Sequence, residues 1–512
     1  MAKISPHGMT KARGCEHASL GNFCKLFPNL KSWATDCGIK QQCEAEEIAA
    51  LLGGPGGIMH DARGESGDSG IPAAYTFFAQ FIDHDITLDT TTALHGAPVA
   101  DIDKLPNLRT ASLDLDCVYG LGPEAMPFLF DQTQAGRLLI GNKKNTHNDV
   151  PRNRDGRALI GDPRNDENIY VSQMQLMFLR FHNRRIVGHS FEKAQEDCRF
   201  HYQWVVLYDF LRRVCDPDVY NHALPLIEDR KSHYPYCPPL DDCGRICMPV
   251  EFSVAAYRFG HTLVRSQYPV NADYPVVDLF DERFGTLGFS HVPEKLVVDW
   301  RFLLDVEPCH EYVNSKAIDH LLADELIRLP DPVVGRSAGA NDRSLAFRNL
   351  LRGYVLGLPS GQSMAKALAK GCKHGGYGKL VENCDLPFDK IEGWECIPKA
   401  SRDKLEKHTP LFLYLMLEGT ASGGRHLGPV GSAILLEVFG AMLKKCSTSF
   451  LNYQENGRYK TWCPDPCIWN PKRLKDVDPK NTRLSAAEGD PCKTPAETPK
   501  GFTLADIARY VG

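Results

Sequence analysis

What the chain lacks narrows it first. No apolar run reaches the ~18 residues that a helix needs to span a bilayer, so no membrane span is expected. Neither charge dominates. The 59 Lys and Arg against 64 Asp and Glu leave a formal net charge of -5, far from the basic surplus of a nucleic-acid binder. The 18 cysteines contain no Cys-x-x-Cys and no paired zinc-ligand spacing, which disfavours a zinc site. They gather at Cys15, Cys24, Cys37 and Cys43, at Cys237, Cys243 and Cys247, and at Cys463, Cys467 and Cys492. That spacing leaves disulfides and free thiols equally open, and with them the redox compartment. There is no Asn-x-Ser/Thr sequon, no internal repeat and no Gly-x-x-x-x-Gly-Lys-Ser/Thr phosphate loop. The opening MAKISPHGMTKARGC has no apolar core, so no secretory signal is expected; a cytoplasmic location and export by another route stay open.

What is present is enough for a large core: 512 residues, 43% of them hydrophobic. The most informative stretch is Ala79-Gln80-Phe81-Ile82-Asp83-His84-Asp85. Gln80 and His84 are four apart and share a helix face, Asp83 lies at its edge, and Asp85 points elsewhere. A lone buried histidine is usually a satisfied core residue. Four polar side chains in an otherwise apolar run are harder to dismiss, because each needs a partner once buried. Pro72 suits the first turn of this helix. Gly67-Asp68-Ser69-Gly70 copies a serine-protease motif, but it reads better as a turn before the helix.

Other segments fall into place around it. Gln42 to Leu52 has helical periodicity and GGPGG at 53–57 breaks it. In Thr110-Ala111-Ser112-Leu113-Asp114-Leu115-Asp116, oxygen-bearing side chains alternate, a pattern that offers a hard cation its ligands. Asp162-Pro163 starts a helix on which Val171, Met174, Phe178 and Phe181 recur at helical spacing. Arg164, a cation at a helix start, opposes the helix dipole and needs a reason to be there. A third helix carries Ala256 to Thr262, with Val254, Tyr257, Arg258 and His261 on one face. Leu411–Leu417, Ala433–Leu443 and the last residues from Gly501 read as helices, and Cys463–Pro499 as a surface loop.

These residues carry a resemblance. FAQFIDHD, the Thr110 loop followed by Val118-Tyr119-Gly120, Arg164 with Glu167, Arg180-Phe181-His182-Asn183-Arg184, RFGHT at 258–262 and Arg348-Asn349-Leu350-Leu351-Arg352 resemble, in order, the motifs of the animal haem peroxidases. The resemblance runs from about residue 50 to 512. It implies a mainly α fold with little β structure: a preamble over residues 1–50, packed on or preceding the domain, and one large helical catalytic domain over 51–512. It implies haem b, with His261 as iron ligand, Asn349 orienting that histidine, and Arg258 and Arg352 near the propionates. Asp83 and Glu167 would be ester-linked to the haem. It assigns His84 as distal acid–base, Arg164 as charge stabiliser and Gln80 as holder of a distal water or anion. Asp85, Thr110, Ser112, Asp114 and Asp116 would bind calcium, Ser112 through its carbonyl.

The chain also departs from the family. Asn168 stands where some members have a haem-bonded Met, and Asn cannot form that sulfonium link. Asp116 replaces a Ser, which adds a charge expected to strengthen cation binding.

The activity implied is oxidation of halide, thiocyanate or small phenolic donors by hydrogen peroxide through an oxoferryl intermediate. Two other classes compete. The cyclooxygenase branch dioxygenates fatty acids, but needs a Tyr where this chain has Arg258, and Tyr257 is one residue off. A non-catalytic haem-binding protein is disfavoured by the joint presence of Gln80, His84, Arg164 and His261.

Overall fold

The computed structural model describes residues 21–512 except 65, 90–93, 96–97, 233–237, 239, 241–245, 282–285, 308–309, 372–375, 383–384 and 469–500. Most of the expected surface loop at 463–499 therefore lies outside the described residues. The described chain is mainly α. The helices that matter below are α1 (Gln42–Gly53), α2 (Ala74–Ile86), α3 (Ile169–Arg185), α4 (Phe191–Val205), α5 (Leu345–Val355), α6 (Leu411–Ala421), α7 (Pro429–Lys445) and α8 (Leu504–Val511). Short strands tie the connections together. Strand β1 (Gly21–Cys24) pairs antiparallel with β3 (Pro106–Asn107) and parallel with β4 (Met248–Pro249), while β2 (Asp68–Pro72) pairs antiparallel with β5 (Asn314–Lys316). Residues 21–24 are thus tied to residues 106–107 and 248–249.

Helix α2 is apolar on nearly every face, as a central helix should be. All its residues are buried except Gln80 and Asp83. Aromatic rings join it to its neighbours. Phe81 stacks on Phe178 of α3 at 4.7 Å, and Tyr202 of α4 meets Phe78, Phe81 and Phe178 edge-on. Such pairs add roughly 0.5–1.5 kcal/mol each beyond their buried area, which makes the α2–α3–α4 core a stiff support. At the far end of α3, His182 Nε2 donates to Gly136 O at 2.9 Å, so its Nδ1 accepts from the Tyr119 hydroxyl at 3.1 Å. In α8, Thr503 and Asp506 form a capping box, and α8 lies against α3.

Three local expectations change. Pro72 ends a strand and α2 starts at Ala74, because residues 68–72 pair with β5 instead of turning. Residues 163–166 form a 3₁₀ turn and α3 proper starts after Asn168, whose side chain caps Val171 N at 2.9 Å. Residues 256–261 are also 3₁₀, not α. In a 3₁₀ turn residues three apart share a face, so Arg258 and His261 align.

Candidate active site

A cavity of about 430 Å³ lies between α2 and the 256–261 turn. From α2 come Gln80, Asp83 and His84; from the segment before α3 come Arg164, Glu167 and Asn168. Arg258, Gly260 and His261 line it from the 3₁₀ turn, and Arg348, Asn349 and Arg352 from α5. The cavity thus gathers nine of the expected site residues from four separate stretches of chain: Gln80, Asp83, His84, Arg164, Glu167, Arg258, His261, Asn349 and Arg352. Phe23 of β1 also lines it. A Cβ added at Gly260 would meet only Ala79 Cβ at 3.9 Å, so the glycine leaves the slot open between the turn and α2.

The α2 side is densely hydrogen-bonded. His84 Nδ1 lies 2.7 Å from Asn165 Oδ1. Burial, with the nearby Arg164 charge, lowers its pKa to about 4, so the ring is neutral. Arg164 donates through Nη2 to the carbonyls of His84 (3.2 Å) and Thr87 (2.8 Å), and through Nε and Nη2 to Asp162 at 3.1 and 2.8 Å. Asp162 is fully buried. Burial alone would raise its pKa, but the Arg164 hydrogen bonds and the Arg164 and Arg109 charges hold it well below the usual carboxylate range. This answers the sequence puzzle: the cation at the helix start is held by a buried carboxylate.

The two carboxylates expected to reach the haem are poised differently. Asp83 Oδ1 accepts from Thr87 Oγ1 at 2.9 Å and Oδ2 from Arg258 Nη1 at 3.3 Å. Against its burial, Arg258 and its other cationic neighbours hold its pKa down. Glu167 Oε2 accepts from Gln80 Nε2 at 2.8 Å, and burial pushes it up to about 7. Gln80 Oε1 in turn accepts from Asn168 Nδ2 at 3.4 Å.

The opposite side is sparer. Burial, with Arg258 beside it, lowers the His261 pKa to about 3, so this ring too is neutral. Its Nδ1 is 3.0 Å from the Asn349 amide nitrogen. An iron ligand needs the reverse sense, with amide oxygen accepting from Nδ1–H. Turning the amide over exchanges two atoms of equal shape and supplies that sense. Arg352 pairs with Asp89 at 3.3 Å.

The carboxylates of Asp85, Asp114 and Asp116 form a buried cluster with oxygens within 4.8 Å of one another. Burial and the Asp114 charge push Asp85 up to about 7, as expected where buried acids meet. Thr110 Oγ1 donates to Asp114 at 2.7 Å, whereas the Ser112 hydroxyl turns away to Cys446. Leu115, between the two loop acids, sits at φ 61°, a left-handed conformation that side-chain-bearing residues avoid. Arg109 Nη1 lies 3.3 Å from Asp116 Oδ1. It lies beside the charge that the Ser-to-Asp departure adds and also pairs with Asp162.

Sequence reasoning missed Arg109, Asp162, Asn165 and Asp89. Asn165 for His84 and Asp89 for Arg352 are partners found across the fold, which no local spacing marks. Asp162 had a signal, the oddly placed Arg164, which called for a counter-ion.

Residues 101–282 match the sequence model of the family described as animal haem peroxidase. No curated protein matches the chain. Among solved structures, peroxidase A from Dictyostelium discoideum is similar with a TM-score of 0.51 at 15% identity, over 87% of this chain and 93% of that one. The fatty acid alpha-dioxygenase of Oryza sativa is similar with a TM-score of 0.51 at 16% identity, over 80% and 74%. That of Arabidopsis thaliana gives 0.50 at 13%, over 85% and 73%. Likeness at such identities speaks for the fold.

Proposed function

We propose, from the match of residues 101–282 to the animal haem peroxidase family and the fold shared with a peroxidase, that the chain uses hydrogen peroxide to oxidise halide, thiocyanate or small phenolic donors. The observation that carries this reading is the meeting of two neutral imidazoles, His84 and His261, in one cavity.

The residues fit haem b. Phe77, Val254, Leu279 and Phe280 give the cavity apolar walls for a porphyrin. His261 would ligate iron, Arg258 and Arg352 would face the propionates, and Asp83 and Glu167 are the candidates for ester links. Asp85, Asp114, Asp116, Thr110 and the Ser112 carbonyl would hold calcium, which takes six to eight oxygens. When bound, the haem supplies the redox-active iron.

The protein's part is proton handling and charge. His84, neutral and buried, accepts a proton from one peroxide oxygen and returns it to the departing one. Arg164 presents N–H donors to the negative charge that develops on the departing oxygen, and Asp162 holds it in place. Gln80, held between Glu167 and Asn168, orients a small molecule beside His84. Asn349 keeps the His261 ring in one orientation.

A donor screen with hydrogen peroxide tests the reading, using bromide, iodide, thiocyanate and a phenol. Turnover of at least one donor is expected; turnover of none by the haem-loaded protein would refute it. A second reading, fatty-acid dioxygenation, is favoured by one observation. Tyr257 lines the cavity, its hydroxyl 3.3 Å from Ala79 O, in a fold shared with alpha-dioxygenases. Oxygen uptake on adding an unsaturated fatty acid would support it.

A further inference from the structure

A neutral histidine serves as a base only through its bare nitrogen, so the function of His84 depends on which nitrogen carries the proton. Beyond its Asn165 contact the hydrogen bonds continue. Asn165 Nδ2 donates to Gln175 Oε1 at 2.8 Å, and Gln175 Nε2 donates to the backbone carbonyl of Cys117 at 3.2 Å. Both amides are fully buried, each with relative exposure 0%. Asp85, the neighbour of His84, closes the circuit by accepting from Leu115 N and Cys117 N at 3.2 and 3.4 Å.

The sense of this chain follows from its far end. A carbonyl oxygen can only accept. Gln175 must therefore turn Nε2 to Cys117 and Oε1 to Asn165. Asn165 must then turn Nδ2 to Gln175 and Oδ1 to His84, and His84 Nδ1 must donate. Reversing both amides would set two acceptors face to face and orphan a buried group, at about 1–3 kcal/mol. The Cys117 carbonyl is itself boxed in, because a Cβ at Gly161 would come within 2.6 Å of it.

We propose that Asn165 and Gln175 are positioning residues that lock the proton of His84 on Nδ1 and leave Nε2 bare toward the cavity. A backbone carbonyl of the acidic loop thereby sets the polarity of the catalytic base. The inference rests on the peroxidase reading only for the use made of the bare nitrogen.

The test uses haem-loaded protein labelled with ¹⁵N-histidine, in the diamagnetic ferrous carbonyl form. The His84 signal is identified by its loss in His84→Gln. The wild type is expected to carry the proton on Nδ1. Asn165→Leu removes the acceptor. It is expected to move the proton to Nε2 and to slow reaction with peroxide by roughly 100-fold, the scale of a lost general base. Asn165→Asp, which can still accept from Nδ1 although its ionised form gives up the donor to Gln175, is expected to restore Nδ1–H and recover at least about tenfold of that rate. A wild-type proton on Nε2 would overturn the proposal, as would an Asn165→Leu protein with unchanged tautomer and rate. The wild-type signal decides even if the variants fail to fold. A wild type with Nδ1–H but no reaction with peroxide would support the relay and overturn the peroxidase reading.

Discussion

The two sides of the cavity are built to different standards. His84 rides on a thirteen-residue helix sunk in aromatic rings, and its ring nitrogen is tied through two buried amides to a backbone carbonyl. His261 ends a six-residue 3₁₀ turn and, among the described residues, is met by one amide whose sense no further hydrogen bond dictates. A general base must be held in one tautomer before substrate arrives, so the protein must supply the constraint itself. An iron ligand is constrained by its own metal bond, so one orienting partner is enough.

If that contrast is right, damage to the two sides should look different. The largest effect without loss of haem is expected in His84→Ala: stopped-flow reaction with peroxide slower by about 10²–10⁴, with the bound-haem spectrum kept. Arg164→Ala should follow at about 10²–10³, again with haem retained; an unchanged rate would reject its role.

Removing a bound calcium should weaken the α2 side first, since Asp85 anchors the loop to that helix. Chelation should lower the melting temperature by the loss of about 2.7 kcal/mol if calcium is held at 100 times its dissociation constant, and Asp114→Asn should abolish the response. Extraction with acidified organic solvent should leave haem on the wild type. Glu167→Gln and Asp83→Asn should then tell which ester forms.

A further effect, spread over more than two pH units, tests the scaffold. Burial lowers the His182 pKa to about 4, so the native state refuses a proton that the unfolded chain takes up below about 6.5. Its contribution to stability is complete above 6.5 and is lost as pH falls, by ~1.4 kcal/mol per unit down to about 4. His182→Gln should flatten that part of the acid-unfolding curve.

Much of this arrangement was legible in the chain. The helical periodicities locate α1, α2, α3, α6 and α7, because amphipathic or wholly apolar runs leave a local imprint. The residues lining the cavity came from motifs, each short enough to be read in place. Partners across the fold were not legible: Asn165 for His84 and Asp89 for Arg352 depend on tertiary placement. Nor was the 3₁₀ form of 256–261, since i,i+3 and i,i+4 spacings overlap in a six-residue stretch. Pro72 misled for a similar reason: it suits a helix start and a strand end equally.

On this reading His261 is the protein group that would hold iron while His84 works opposite. That assignment is tested most directly by titrating haem into His261→Gly with and without free imidazole. The account predicts that the variant alone fails to give the wild-type Soret band, and that added imidazole restores it at one haem per chain. A variant that takes up haem with the wild-type spectrum and no imidazole would contradict it.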